Sequence, residues 1–323
     1  MQEYTVTEQH STATKPLSAV GIANPASGGY IYHVQQIKET IAFLQQQGWR
    51  VELKLTQAMG DARRLAREAV AQHIDVVIAV GGDGTINEII QGLAGSETAL
   101  GVLPNGTVNV WAREVGIPID MVGAREVLLN GQRQSIDLGK INERYFLLMA
   151  GIGLDGEVTH AVEKKRAKWL GAIGYALVGI WLGLGYGGFR TVLQLHGRVI
   201  KTNALQVIIG NTQLYAGTIK YTWRAKCNDG LLDVCIVRRQ NLFRRFLVFL
   251  DFLLHREQRR QWIRYEQCTE VKIRTRKPTA IQIDGDAMGY TASGYPATII
   301  RIVPNALKVI VPQQTPEVLF DDA

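Results

Sequence analysis

Residues 79–88 constrain the fold of this chain more than any other segment, because an apolar run ends there in a glycine-rich turn. Aliphatic residues fill 76–80, Gly-Gly-Asp-Gly follows over 81–84, and an amphipathic run then begins. This order predicts a strand, a tight turn and a helix, since glycine admits positive φ and lets backbone N–H groups approach a ligand closely. A helix N-terminus adds unpaired N–H groups and a partial positive charge, so the turn is a candidate anion site.

Asp83 lies inside this turn and brings a carboxylate to the candidate anion site. Two negative groups are held close together most simply by a cation between them. Mg²⁺ on a nucleotide phosphate is the most common case, because oxygen ligands suit this ion. The turn therefore predicts binding of a nucleotide with its magnesium ion.

Length and composition exclude several classes of protein. A chain of 323 residues is long enough for one large or two ordinary domains. Its three cysteines and six histidines show neither a disulfide framework nor the spacing of a zinc site. Residues 1–15 are polar and lack the apolar core of a signal peptide, so we expect a cytoplasmic protein.

The positive charge of the chain is concentrated in one region. Residues 236–277 contain 12 Lys and Arg against four acids, an excess of +8 in a chain whose net charge is +7. A basic surface of this kind suits nucleic acid or anionic lipid, or it is only a solvated face. No nucleic-acid recognition motif accompanies it, so we expect no nucleic-acid partner.

Residues 18–131 alternate between strand and helix patterns, which predicts a parallel sheet with helices on both faces. Ligands of such sheets bind beyond the carboxyl ends of the strands. Within this part, Asp61 and Thr107 are predicted helix N-caps, and Gly131 is predicted to close a helix at its C′ position. The predicted strands are 18–23, 51–55, 75–80 and 99–103, and the predicted helices are 30–47, 61–72, 85–93, 107–115 and 124–130.

From residue 135 onward short strand-like runs dominate, which predicts a mostly antiparallel, sandwich-like β domain. We place the boundary near 131–135 and predict a nucleotide-binding domain over 18–131 and a substrate domain over 132–313. The last residues of the second domain are expected to pack back on the first. The predicted strands are 135–138, 145–150, 191–195, 204–210, 232–237, 271–274, 280–283, 298–302 and 308–311.

Two apolar helices interrupt the second half. The segment 169–186 carries five glycines and is nearly free of charge, and we interpret it as a buried or partly buried helix instead of a membrane span. The segment 241–254 is apolar with arginines around it. It is either an interfacial helix whose cations meet anionic lipid or a core helix with a solvated basic face.

Two further glycine-rich turns follow predicted strands. One covers residues 24–29, where Asn24 can reach a neighbouring loop or a nucleotide. The other covers 103–113, where Thr107 could meet a phosphate or base instead of capping a helix. Neither turn is a P-loop or a GxGxxG fingerprint. The signal is that three such loops lie at strand ends of one domain, where they can form one site.

This combination resembles the diacylglycerol kinase catalytic-domain family of bacterial lipid kinases, which is related to sphingosine kinases and more distantly to NAD kinases. The likeness extends over roughly residues 19–311. The matching motifs are Asn24-Pro25-Ala26-Ser27-Gly28, Gly81-Gly82-Asp83-Gly84-Thr85 with Asn87-Glu88, Pro104-Asn105-Gly106-Thr107-Val108-Asn109, Ile136-Asp137-Leu138-Gly139, Gly151-Ile152-Gly153-Leu154-Asp155, Asn228-Asp229-Gly230-Leu231-Leu232-Asp233 and Ile283-Asp284-Gly285-Asp286.

The resemblance implies an ATP site in a cleft between the two domains, with Asp83 acting through Mg²⁺ and the phosphates. Asp284 matches the first acid of the family's Asp-Gly-Glu element, a proposed general base, and Asp286 stands where relatives have the glutamate. The nucleotide-binding residues that it implies are Asn24, Ser27, Gly28, Gly81, Gly82, Gly84, Thr85, Gly106, Thr107, Asn109 and Arg113.

The resemblance also implies a structural Mg²⁺ site and a charged network. The ion would be held by Asp229 and by the main-chain carbonyls of Leu231 and Lys226. Asp137 and Arg113 match members of the network around the active site. Two positions depart from the family pattern, because Val110 replaces an aspartate found in many relatives and Gly29 replaces a lysine found in some.

The residues and the resemblance together predict an ATP-dependent kinase of a lipid hydroxyl, most simply that of diacylglycerol. Phosphoryl transfer needs phosphate binding, Mg²⁺ and a positioned base, and the three loops and the acids of 283–286 would supply these. The lipid would be met at a membrane surface, with a homodimer as one arrangement of the enzyme. The alternatives are a kinase of a sphingoid base, phosphatidylglycerol or NAD, and a nucleotide-binding regulator without activity.

Overall fold

The first half of the chain forms a four-stranded parallel sheet. The structure is a computed structural model that describes residues 16–25, 29–164, 171–215, 217, 219–254 and 261–321. The strands lie in the order β2-β1-β3-β4, and all of their pairings with one another are parallel. They are β1 (Ser18–Ala23), β2 (Arg50–Leu55), β3 (Val76–Gly81) and β4 (Ala99–Pro104).

Four of the five helices in this part contact the strands of the sheet, and the fifth, α4, contacts β10 (Leu214–Tyr215). The helices α1 and α5 pack on each other, and the Arg125 guanidinium lies 3.9 Å from the centre of the Phe43 ring at their contact. The helices α2 and α3 pack together as a second pair. This arrangement confirms the predicted α/β layer. The helices are α1 (Tyr30–Gln46), α2 (Asp61–Ala71), α3 (Asp83–Leu93), α4 (Val110–Val115) and α5 (Met121–Asn130).

Three predicted helix caps are wrong. The N-cap of α2 is Gly60 at φ +88°, and the Asp61 carboxylate instead accepts from the N–H groups of Gln57 and Ala58, at 2.8 and 3.0 Å. The helix α4 begins only at Val110, after Asn109 at φ +53°, so Thr107 is no cap.

Gly131 follows α5 in an extended conformation, with φ −72° and ψ 175°, and does not form the predicted left-handed C′ closure. Glycine is required there for space. A Cβ at this position would lie 2.4 Å from the carbonyl oxygen of Val127 and 2.5 Å from that of Val311.

The second half of the chain is mostly antiparallel, as predicted. The segment 145–150 forms two strands instead of one, and the predicted strands 298–302 and 308–311 are parts of a single long strand, β17. The strands are β5 (Gln132–Ile141), β6 (Arg144–Phe146), β7 (Met149–Gly153), β8 (Phe189–Leu195), β9 (Arg198–Gly210), β10 (Leu214–Tyr215), β11 (Ile219–Lys220), β12 (Leu232–Arg238), β13 (Ile263–Cys268), β14 (Glu270–Thr275), β15 (Ala280–Ile283), β16 (Asp286–Tyr290) and β17 (Thr298–Val311).

The long strand β17 contacts both halves of the chain. Its first residues pair with β14 in antiparallel fashion, and Lys308 and Val309 pair in parallel with Ala99 and Leu100 of β4. The strand β5 runs beside β17 along nearly its whole length, with a register shift between Val303 and Leu307. The division into domains at 131–135 stays a prediction.

Three helices accompany the antiparallel strands: α6 (Leu154–Lys164), α7 (Gly171–Gly185) and α8 (Leu242–Leu253). The helix α6 was not predicted. Residues 169 and 170 of the first predicted apolar helix lie outside the described residues. Within the part of the chain that the structure describes, no helix is both long and apolar enough to cross a membrane.

Candidate active site

A cleft of about 1190 Å³ lies between the parallel sheet and the antiparallel strands. The loops after β3 and β4 form one wall, and the segments that carry β7, β15 and β16 form the opposite wall. Ser27 and Gly28 lie outside the described residues. The predicted site residues that line the cleft are Asn24, Gly82, Asp83, Gly84, Thr85, Gly106, Thr107, Asp284 and Asp286.

Two glycines bring the loops after β3 and β4 into direct contact. A Cβ at Gly106 would lie 2.5 Å from the Cα of Gly82, and a Cβ at Gly82 would lie 2.9 Å from the Cα of Gly106. Asn109 fixes the second loop, because its side chain accepts from the Gly106 N–H at 2.8 Å and donates to the Gly106 carbonyl at 2.9 Å. Because neither glycine has a side chain, the main chains of the two loops can lie in direct contact.

The remaining glycines of the wall differ in their surroundings. A Cβ at Gly81 would lie 2.4 Å from Oγ1 of Thr85, whereas a Cβ at Gly84 would meet none of the described residues within 4 Å. A Cβ at Gly29 would lie 2.3 Å from the carbonyl oxygen of Asn105. The lysine expected from relatives at position 29 therefore does not fit here unless Asn105 moves.

Asp83 lies at the start of α3 but binds the start of α4. Its carboxylate accepts from the N–H groups of Val110 and Trp111, at 3.0 and 3.2 Å. Burial raises the pKa of the Asp83 carboxyl, while these N–H groups oppose the rise. One carboxylate thus caps a helix of the next loop and lines the cleft at the same time.

Arg113 makes a local hydrogen bond, whereas Asp137 binds two segments that are distant in sequence. Nε of Arg113 donates to the carbonyl of Val108 at 2.7 Å. Asp137 is buried and accepts from the N–H groups of Gly230 and Asn305, at 2.6 and 2.8 Å. Neither side chain is among the residues that line the cleft. Asp137 joins β5 to two loops and so supports the fold, and its place in the charged network expected around the site stays a prediction.

Asp284 and Asp286 both line the cleft but differ in their hydrogen bonds and in their exposure. The Asp284 carboxylate accepts from the main-chain N–H groups of residues 147–149, at 2.8–3.0 Å, and from Nδ2 of Asn87 at 3.2 Å. Burial raises the pKa of Asp284 to about 7, against the opposing effect of those main-chain donors. The Asp286 side chain is 32% exposed and pairs with Arg144 at 3.1 Å.

Arg144 and Asn87 join the two acids, and the sequence did not identify either as a site residue. Nη2 of Arg144 donates to Oδ1 of Asn87 at 3.0 Å and to Oδ2 of Asp286 at 3.1 Å. Nε of Arg144 is buried and has no hydrogen-bond partner among the described residues. Asn87 belongs to the motif that follows β3, so the sequence could have identified it as a site residue. Arg144 belongs to none of the motifs, so the sequence gave no indication of its role.

A second unpredicted network lies deeper in the same wall. The Tyr215 hydroxyl donates to Oδ1 of Asp155, whose other oxygen accepts from Nε2 of Gln282 at 2.7 Å. Oε1 of Gln282 accepts from the Gly285 N–H at 2.9 Å, between the two candidate acids. Burial raises the pKa of Asp155 to about 6.

Glu114 connects the two halves of the molecule beside the cleft. This buried carboxylate on α4 accepts from the N–H of Gln213 at 2.7 Å and from that of Leu214 at 2.9 Å. Burial raises the pKa of Glu114 from an ordinary value of 4.5 to about 7. Leu214 and Tyr215 form β10, so Glu114 sets the position of a strand that lines the cleft.

The predicted structural metal site lies away from the cleft, on the loop before β12. Asp229 accepts from the Leu231 N–H at 2.9 Å, and Lys226 pairs with Asp321. Burial raises the pKa of Asp229, and the nearby carboxylates of Asp137 and Asp321 add to the rise.

This loop is therefore rich in negative charge, and oxygen donors of this kind suit Mg²⁺. Within the described ranges, no three His, Cys, Asp or Glu side chains come together as a metal-binding group. Two of the three predicted ligands are main-chain carbonyls, which no cluster of side chains would include, so the metal site stays a prediction.

Comparisons with known proteins agree with this architecture. Residues 18–141 match the family model of the diacylglycerol kinase catalytic domain. Residues 149–311 match the model of the YegS C-terminal NAD kinase beta sandwich-like domain. The pair of matches defines the class, a phosphotransferase with an alcohol acceptor.

Similar proteins of known name identify the family within this class of phosphotransferase. A Bacillus subtilis (strain 168) protein named diacylglycerol kinase is 30% identical over 303 residues, which cover 93% of this chain and 98% of the relative. A Staphylococcus aureus (strain Newman) protein of the same name is 33% identical over 68% of this chain and 70% of its own.

Two solved structures from Bacillus anthracis strain Sterne have the same fold. One is provisionally assigned as a diacylglycerol kinase, with a TM-score of 0.77 at 24% identity over 96% of this chain and 99% of its own. The other is described as a diacylglycerol kinase, with a TM-score of 0.68 at 20% identity over 94% and 98%. This chain belongs to the diacylglycerol kinase catalytic-domain family. The predictions of that family and of an ATP-dependent lipid kinase are thereby confirmed.

Proposed function

We propose that this enzyme transfers the γ-phosphoryl group of ATP to the free hydroxyl of diacylglycerol, taken from a membrane surface. The observation that carries the proposal is that Asp286, a partly exposed carboxylate, stands across one cleft from the glycine-lined loops. Phosphoryl transfer needs little more than phosphate binding, charge neutralisation and a group that accepts the hydroxyl proton.

The loops after β3 and β4 would bind the phosphates of ATP. No described residue lies within 4 Å of a Cβ at Gly84, in the first turn of α3, where N–H groups point outward from the helix N-terminus. Thr107 lines the cleft on the adjacent loop and offers a hydroxyl. Mg²⁺ bound with ATP would neutralise the phosphate charge, and a second ion would be held by Asp229 with the carbonyls of Leu231 and Lys226.

Asp286 is the proposed general base, and Asp284 is a positioning residue. Four hydrogen bonds occupy the Asp284 carboxylate, so it holds residues 147–149 and the turn before Asp286. The Asp286 side chain stays partly exposed, and its ion pair with Arg144 restricts its orientation. A carboxylate within reach of the hydroxyl accelerates such a transfer by about 10²–10⁴-fold.

Transfer of label from γ-labelled ATP to lipid tests the proposal. Mixed micelles of diacylglycerol, sphingosine, ceramide and phosphatidylglycerol are compared, with NAD as the soluble acceptor. We expect label on diacylglycerol and a fall in kcat of about 10²–10⁴-fold in Asp286→Asn, with unchanged ATP affinity and unfolding midpoint. Asp284→Asn is the matched comparison and should lower the unfolding midpoint as well as the rate.

Other outcomes would contradict the proposal. Label on NAD alone would make the chain a kinase of a soluble acceptor. ATP binding without label on any acceptor would favour a nucleotide-binding regulator. Full activity in Asp286→Asn would show that Asp286 is not the general base and would leave Asp284 as the candidate for that role.

A further inference from the structure

His33, on the first turn of α1, contacts both the residue before this helix and the loop after β4. Its Nδ1 lies 2.9 Å from the carbonyl oxygen of Gly29 and 2.8 Å from the side-chain amide of Asn105. Gly29 lines the cleft, and Asn105 follows His33 by 72 positions in the chain. The ring therefore joins two segments that are distant in sequence and that both border the cleft.

Asn105 is the buried residue through which these segments meet, and it is only 4% exposed. Its main-chain N–H donates to the carbonyl of Gly81, at the end of β3, at 3.0 Å. When its amide is oriented so that donors face acceptors, Oδ1 accepts from the Tyr30 N–H at 3.3 Å and Nδ2 donates to Nδ1 of His33 at 2.8 Å. One side chain thus connects α1, β3 and the loop after β4.

The N-terminus of α1 depends on this contact for a side-chain cap. Its N-cap position is Gly29, which has no side chain, and its first turn holds no acidic residue. A helix start ordinarily receives a cap from a Ser, Thr, Asp or Asn at that position. Among the described residues, Asn105 takes this role from another loop, and the His33 ring holds its amide in the orientation that the cap needs.

Gly29 leaves the space that Asn105 occupies. A Cβ at this position would lie 2.3 Å from the carbonyl oxygen of Asn105 and 2.5 Å from the end of its side-chain amide. Any side chain at 29 would therefore push Asn105 away from the start of α1. Gly29, His33 and Asn105 depend on one another and form a single unit.

We propose that His33 is a positioning residue for the nucleotide, which holds the start of α1 and the loop after β4 at a fixed spacing through Asn105. The strands β1 and β4 are the two neighbours of β3 in the sheet, so this contact spans the loop after β3. Gly106 follows Asn105 directly and lines the cleft, whereas His33 does not line it. The inference rests on the proposed function, because that function assigns these loops to the phosphates of ATP.

Isothermal titration with ATP and steady-state kinetics test the proposal. His33→Leu removes the ring nitrogen, and we expect about tenfold weaker ATP binding and a similar rise in the KM for ATP, with unchanged kcat at saturating ATP. His33→Asn restores an acceptor near the place of Nδ1 and should recover most of the affinity. Gln35→Leu is the matched control, since Gln35 is exposed on the same helix and binds only Glu39 one turn away among the described residues. It should bind ATP like the parent.

Hydrogen exchange at the Tyr30 amide, followed by NMR without ATP, tests the contact by itself. We expect this amide to exchange about tenfold faster in His33→Leu and in Asn105→Ala than in the parent, because both variants weaken its acceptor. The amides in the middle of α2 should exchange at the parent's rate in both variants. His33→Asn should restore the slow exchange of Tyr30.

Three results would overturn the proposal. Equal exchange at Tyr30 in the parent and in both variants would show that Asn105 does not cap α1. Faster exchange with unchanged ATP affinity in His33→Leu would show that the contact serves only the helix. Weaker ATP binding that His33→Asn does not recover, together with a lower thermal unfolding midpoint in both His33 variants, would make the role one of general stability.

Failure of the proposed function gives a different pattern. A parent chain that binds ATP and labels no lipid contradicts that function, while the ATP affinities and the Tyr30 exchange rates still decide the role of His33. A parent chain that does not bind ATP overturns both, because there is then no nucleotide for His33 to position.

Discussion

Gly82 and Gly106 bring the main chains of two cleft loops closer than any side chain would permit. The positions of these glycines in the chain gave no sign of this contact. The glycine motifs identified the correct loops, since strand-turn-helix patterns are local, but their expected role was contact with phosphate. Loop-to-loop packing depends on two segments that are distant in sequence, and no local pattern encodes it.

We predict that Gly106→Ala lowers the free energy of unfolding and weakens ATP binding, whereas Gly84→Ala does not lower the free energy of unfolding. The added methyl group at 106 would meet main-chain atoms of the facing loop, and overpacking of this kind costs about 1–3 kcal/mol. At 84 the methyl group would contact none of the residues that the structure describes. Urea unfolding of both variants and isothermal titration with ATP would measure the effects, and equal stability of the two variants would contradict the prediction.

The two candidate acids also show what the sequence left open. Asp284 and Asp286 are two residues apart in one motif, and the sequence could not assign the base. Their difference comes from the N–H groups of residues 147–149, more than 130 positions away, which occupy Asp284. Hydrogen-bond partners at this separation follow only from the folded chain.

Arg144 gives a second prediction at this scale. Arg144→Lys keeps the positive charge but loses the planar fork that reaches Asn87 and Asp286 together. We expect kcat to fall about tenfold with unchanged ATP affinity, because Asp286 loses its fixed orientation. Steady-state kinetics with diacylglycerol micelles would show the split, and a change in the KM for ATP alone would point to a different role.

At the level of elements, α4 shows how a neighbouring loop can set a helix start. The pattern predicted a helix from 107, but Asn109 adopts positive φ and the carboxylate of Asp83 supplies the cap from another loop. Local signals gave the existence and approximate extent of the α/β helices. The helix α6 was missed because residues 154–164 lie among short strand-like runs, where a β pattern was expected.

We predict that Asp83→Ala lowers the free energy of unfolding by about 1–2 kcal/mol as well as abolishing lipid phosphorylation. Removing the carboxylate leaves the N–H groups of Val110 and Trp111 without their acceptor. Asp120→Ala is the matched control, since Asp120 caps α5 through the Gly123 N–H and does not line the cleft. It should show a similar loss of stability in urea unfolding with normal kinase activity.

At the scale of the whole molecule, the halves are joined through β17, whose packing on the first half was expected, and through side-chain contacts that a sequence pattern cannot reveal. Alternation and turns predicted the α/β layer and the antiparallel layer, and both are present. The link through Glu114, on α4, to residues 213 and 214 was not foreseen. Most glutamates in short helices face solvent, so the sequence gave no reason to single out Glu114. Its role in joining the halves follows only from its burial against residues 213 and 214 in the folded chain.

The raised pKa of Glu114 predicts a pH-dependent stability. The folded chain holds this proton more tightly than the unfolded chain, so the stability contributed by the protonated group is lost as pH rises from 4.5 to about 7. Relative to Glu114→Gln, the parent should lose about 3 kcal/mol of unfolding free energy across that window. Urea unfolding of both proteins at several pH values would measure it, and a constant difference would contradict the prediction.

The long strand β17 has a consequence for how the chain folds during translation. Residues 308–309 complete the edge of the first sheet beside β4, although about 200 residues separate them in the order of translation. The nascent first half therefore leaves the tunnel with an open sheet edge, which can pair with other chains until β17 arrives. Synthesis of the first sheet and closure of its edge are thus separated in time. Because β17 begins at Thr298, a ribosome that stalls before this residue would leave the edge open and favour aggregation.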